Sequence, residues 1–85
     1  MRIQTTAPFD SDYARLTHEA RALVDKQIAL LLTNARHPSL RFKRIQGADA
    51  IWEVRVSRSH RMTLEIAGDV YILRRVGPHD VLRRP

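Results

Sequence analysis

The sequence predicts an α+β fold, an N-terminal strand and two helices packed on one face of a mainly antiparallel β-sheet. Three observations carry this reading. Apolar residues recur at three- and four-residue spacing from Ala20 to Leu32, the period of a one-sided helix. From Trp52 to Ile66 they alternate instead, the period of half-buried strands. Finally, a chain of 85 residues buries only about 60% of its unfolded surface, so nearly every apolar residue must serve one core, and residues 1–85 read as one domain.

The elements follow in order. "RIQTT" alternates Ile3 and Thr5 against Arg2 and Gln4, and Pro8 closes this first strand. Asp10 or Ser11 caps a short helix through Leu16. Thr17 caps a second, whose inward stripe is Ala20, Leu23, Val24, Ile28, Leu31 and Leu32, with His18, Arg21, Asp25 and Lys26 opposite. "NARHPS" ends it, because the residue before Pro38 is pushed toward extended geometry. "LRFKRI" alternates imperfectly and suggests a strand or an extended arm approaching the sheet. Residues 51–56 turn Trp52, Val54 and Val56 inward, residues 61–66 do the same with Met62, Leu64 and Ile66, and "VYILRRV" follows the Gly68-Asp69 turn as a central strand.

A helical layer on one sheet face leaves the other face to solvent, and the sequence fills that face with cations. Arg55 and Arg61 stand on it, Lys43 and Arg41 flank it, and Arg58 lies on the hairpin between the two strands. Edge strands carry Lys and Arg to block pairing, but five on one face exceed that need. With 15 Lys and Arg against 9 Asp and Glu, the net charge of +6 favours a polyanionic partner, and a basic sheet face suits RNA. Without cysteine there is no disulfide framework, thiolate nucleophile or cysteine zinc site, which fits a reducing compartment. "MRIQTTAPFDSDYARL" lacks an apolar signal region, and no stretch approaches the roughly 18 apolar residues of a membrane span. A cytoplasmic protein without membrane association is expected.

Candidates for proton transfer lie in "LRRVGPHDVLRRP", where Gly77 and Pro78 break the last strand before His79 and Asp80. Histidine is the side-chain type most used for acid–base chemistry near neutral pH, and His79 stands at a strand end beside the basic face. His18 and His37 are too far apart to read as paired ligands. No HExxH, P-loop, GxSxG or GxGxxG occurs, so no metal, nucleotide cofactor or serine nucleophile is indicated.

The order strand, helix pair, meander, together with "WEVRVSRSHRMTLEI" and "VYILRRVGPHD", resembles the RelE/ParE superfamily of toxins from bacterial toxin–antitoxin modules, its RelE and HigB branches above all. The resemblance covers nearly the whole chain. Arg61 stands where these toxins carry a hairpin arginine, and His79 where they carry Arg, His or another polar group after Val-Gly. What the resemblance implies is a ribosome-dependent endoribonuclease that cuts messenger RNA in the decoding site and is silenced by a cognate antitoxin, with no metal and no small-molecule cofactor. Arg61 would then grip the scissile phosphate with Arg55 assisting, and His79 would move a proton with Asp80 or Glu53 complementing it. Arg58, Lys43 and Arg41 would hold the RNA backbone. One departure is plain: several RNA-cleaving members place a catalytic tyrosine soon after the last strand, and "DVLRRP" offers none, the tyrosines being Tyr13 and Tyr71. Two other classes remain open, a ParE-type toxin that binds a type II topoisomerase and a stand-alone basic nucleic-acid-binding domain.

Overall fold

The computed structural model describes all residues, 1–85. Five strands, β1 (Arg2–Thr5), β2 (Lys43–Arg44), β3 (Ile51–Arg55), β4 (His60–Ala67) and β5 (Val70–Pro78), form one sheet in the order β1-β5-β4-β3-β2. β2 through β5 pair antiparallel, as the alternation predicts. β1 runs parallel to β5, Arg2 opposite Val70 and Thr5 opposite Leu73, after a crossover through both helices.

Helix α1 (Ala7–Arg15) starts earlier than the sequence suggests. Its cap is Thr6, whose hydroxyl accepts from the Phe9 N–H, and not Asp10 or Ser11. Pro8 does not close the strand but sits in the first helical turn, where its missing N–H would have had no partner. Thr6 Oγ1 also donates toward the Leu73 and Arg74 carbonyls at 3.0 and 3.1 Å, tying the β1–α1 corner to β5. Helix α2 (His18–Thr33) is capped by Thr17 as expected. Its inward stripe is narrower than the apolar pattern implies: Leu23 and Leu32 are exposed, while Gln27 is buried. Gln27 donates to the carbonyl of Arg55 at 2.8 Å and to that of Ser39 at 3.4 Å, pinning α2 to the end of β3.

"LRFKRI" yields only two strand residues, because Pro38–Leu40 coil into a 3-10 turn that buries Leu40 and ends at Arg41 in left-handed backbone (φ 44°). Between helices and sheet lies one core, from Phe9, Val24 and Leu31 to Val54, Met62, Leu64, Leu73 and Val76. No helix is long and apolar enough to cross a membrane.

The face away from the helices is not wholly open. A second 3-10 turn, His79–Arg83, bends back over it, so that a Cβ at Gly77 would meet Val81 at 3.9 Å. The chain then runs to Pro85, whose oxygen accepts from Thr63 Oγ1 at 3.1 Å and Arg74 Nε at 3.0 Å, leaving Thr63 fully buried. Only the β2–β3–β4 side of that face is left for a ligand.

Candidate functional site

The register of β3 and β4 places Arg55 directly opposite Arg61, and β4 and β5 place Arg61 opposite Gly77. Arg55 and Arg61 therefore share the helix-free face. Arg58 sits on the connecting loop, and Arg41 reaches the same place from the end of the first 3-10 turn. Their crowding is electrostatically visible. The Arg55 guanidinium has its pKa lowered, first by the charge of Arg41, then by desolvation, then by the charges of Arg61 and Arg58. None of these four guanidiniums is ion-paired, and none of the ion pairs in the chain involves them. Like charges held this closely without counter-ions raise the local potential for an anion.

Arg61 is organised before any ligand arrives. Its Nη1 donates to the carbonyls of Ser57 at 2.8 Å and His60 at 2.9 Å, with Arg58 O at 3.4 Å, so one nitrogen staples the hairpin loop. The side chain thus does not simply project to solvent, as its place in the alternation suggests. Nε and Nη2, the edge that meets two oxygens of a phosphate or carboxylate, have no protein partner.

The remaining predicted residues divide. Lys43, opposite Glu53 in the register, forms an ion pair with it at 3.8 Å. Glu53 is thereby engaged beside the arginines, with a side chain only 13% exposed. His79 and Asp80 open the second 3-10 turn two residues beyond the partner of Arg61, and both are exposed. Fold topology therefore brings the hairpin arginines and the His79-Asp80 pair to the same end of the sheet. Tyr13 and Tyr71 take no part. Tyr71 is core, and the Tyr13 hydroxyl donates to Asp25 Oδ1 at 2.7 Å, a bond that raises its pKa.

Sequence reasoning missed two features. A cleft of about 590 Å³ lies not at the arginine cluster but beyond the second 3-10 turn, against the α1–α2 junction. Arg15, His60, Arg75, Arg83 and Asp80 line it, and Asp80 alone was singled out by sequence. At its base lies a clamp: Asp12, buried on α1, accepts from Arg75 Nε at 2.6 Å, Arg75 Nη2 at 3.2 Å and the Val76 N–H at 3.2 Å. Burial raises the Asp12 pKa, but these hydrogen bonds and the charges of Arg75 and Arg15 outweigh it, and the net shift is downward. No three His, Asp or Glu side chains gather in a metal-ligating group.

No family model and no curated protein matches this sequence. Solved structures do match its fold. YafQ from E. coli superposes with a TM-score of 0.79 at 13% identity over 94% of each chain. A YoeB/ParE toxin from Agrobacterium tumefaciens gives 0.78 at 15% identity, over 93% of this chain and 99% of that one. The RelB-RelE antitoxin–toxin complex from Methanococcus jannaschii gives 0.71 at 20% identity over 95% of each. The strand order and the helix pair on one face described above are thus those of the fold these solved structures share.

Proposed function

We propose that this chain is the toxin of a toxin–antitoxin module and acts as an endoribonuclease on messenger RNA held in the ribosome. The observation that carries the reading is the cluster of Arg41, Arg55, Arg58 and Arg61, unpaired and mutually repelling, at the sheet end where His79 and Asp80 emerge. RNA brings its own nucleophile, the 2′-hydroxyl, so the protein has to hold the strand in line, move protons and stabilise charge on the phosphate. The Nε–Nη2 edge of Arg61 suits the last task because its other nitrogen is already fixed by the hairpin carbonyls. His79 is the proton carrier of the set, with Asp80 beside it. Glu53 is the poorer second carrier, being paired with Lys43. Attack by the 2′-oxygen on phosphorus breaks the bond to the 5′-oxygen, which leaves with a proton, and a 2′,3′-cyclic phosphate remains.

Antitoxins occupy the neighbouring toxins in the DinJ-YafQ and RelB-RelE complexes, and a segment carrying acidic and apolar side chains suits the basic face here. The test is primer extension on translated messages after induction, with end analysis of the fragments. Ribosome-dependent cuts with 5′-hydroxyl ends are expected, and a 2′-deoxy sugar at the cut should abolish them. His79→Ala should slow the single-turnover rate by roughly 10² to 10⁴, and Arg61→Ala should reduce it by about 10² to 10³, with Arg61→Lys restoring only part. Cleavage of the 2′-deoxy message or 5′-phosphate ends would overturn the mechanism. Toxicity without cleavage, relieved by a resistant topoisomerase, would move the chain to the ParE class.

A further inference from the structure

A second basic groove, of about 490 Å³, opens where the end of α2 meets β2 and β3, and its lining differs in kind from the arginine cluster. Phe42 and Trp52 form its aromatic side, their rings 5.0 Å apart and inclined at 67°. Arg36, His37 and Arg41 form its polar side, and no carboxylate lines it. His37 Nδ1 accepts from the Ser39 N–H at 3.1 Å, which puts the neutral ring's proton on Nε2 as a spare donor. Arg44 lies over the Trp52 ring with its guanidinium carbon 5.4 Å from the centroid, and that stacking is the only polar or ionic contact of its side chain.

We propose that this groove is a nucleobase subsite, in which one unpaired base of a single-stranded RNA stacks on Trp52 while its neighbouring phosphates run over Arg41 to the arginine cluster. The proposal rests on the nuclease reading for the identity of the strand, but it stands on its own geometry. Aromatic rings flanked by arginines and devoid of acids are the platform that single-stranded RNA uses, since every base has a π-face and every linkage a negative charge. Continuity with the cluster is supplied by Arg41. It lines the groove, and its charge is also the foremost influence on Arg55. Its left-handed backbone turns the chain at the junction of the two sites. Arg44 completes the device: exposed and held by the ring alone, it can yield its place to a base and stack on the base's outer side.

Trp52 is the only tryptophan of the chain, so its emission reports on this groove alone. A non-cleavable 2′-O-methyl pentanucleotide with a fluorescent end label, titrated at low salt, should quench Trp52 saturably, with the same midpoint as the label's anisotropy. An abasic residue walked through the pentanucleotide should at one position abolish the quenching and weaken binding by about 5- to 150-fold, the contribution of one stacked base. Arg36→Ala and Arg44→Ala should weaken binding with unchanged thermal unfolding. Saturable anisotropy without any change in Trp52 emission would overturn the subsite, as would absence of binding. Quenching by an acidic antitoxin peptide but not by the oligonucleotide would overturn it also, assigning the groove to the protein partner. The two readings fail separately: message cleavage with silent Trp52 removes the groove alone, and quenching without message cleavage removes the nuclease alone.

Discussion

At the scale of single residues, the side chains that hold the site are as informative as those that face the ligand. Asp12 is the clearest case, because its carboxylate joins α1 to Arg75 and to the Val76 N–H at the point where β1 has ended and the edge of β5 would otherwise lie bare. With its pKa lowered from the ordinary 3.8, ionised Asp12 contributes stability that is fully present above that value and is lost as pH falls through the folded-state value. Asp12→Asn should cost about 1–3 kcal/mol near neutrality, the penalty for poorly satisfied buried partners, and should shrink the acid-induced loss of stability below pH ~4. Thermal unfolding of both proteins across that range checks it, and a parallel decline in the two would detach the clamp from the acid limb. Nothing in the sequence marked this pair, since 63 positions separate its members and each reads locally as surface charge. Arg61 was legible for the opposite reason. Its alternation with Val54 and Met62 fixes the face on which it emerges, while its bonds to the Ser57 and His60 carbonyls depend on a loop conformation that alternation does not encode.

At the scale of elements, the strands and α2 were legible because their apolar residues keep one period across the whole element. The β3–β4–β5 meander agrees with expectation to within a residue or so at most ends. Failures occurred where one local signal had two physical meanings. Pro8 can end a strand or open a helix, and the hydroxyl of Thr6, which also reaches β5, decides for the helix. Leu23 and Leu32 fit a helical stripe but lie on its margins, where a sheet of this width does not reach them. The 3-10 turn over the sheet was illegible because the bond that holds its far end is non-local, from Thr63 to the Pro85 oxygen 22 positions away. The double role of Thr6 gives a test. Thr6→Ala should cost about 1–2 kcal/mol, the upper part of the range for a lost cap, because the link to the β5 carbonyls goes with it, whereas Thr6→Ser should retain most of that stability. Chemical denaturation measures both, and equal losses would show that the methyl group, not the hydroxyl, matters.

At the scale of the whole molecule, a net charge of +6 is concentrated where it opposes folding, since Arg41, Arg55, Arg58 and Arg61 repel one another in the native state. The isolated protein should therefore gain thermal stability from sulfate or phosphate at concentrations where chloride does little, and Arg55→Gln should reduce the gain while raising stability at low salt. Differential scanning calorimetry at matched ionic strength decides this, and identical responses to all anions would mean that screening alone is at work. The parallel pairing of β1 with β5 has a consequence in time. Residues 2–5 are made 68 positions ahead of their partners, residues 70–73. At a synthesis rate of about 5–20 residues per second, β1 waits several seconds for its neighbour. Helices α1 and α2 can coil in that interval, but the sheet cannot close, and His79 and Asp80 reach the arginine hairpin later still. Any ligand that recognises the completed basic face thus has nothing to bind until β5 has been made and the sheet has closed around it.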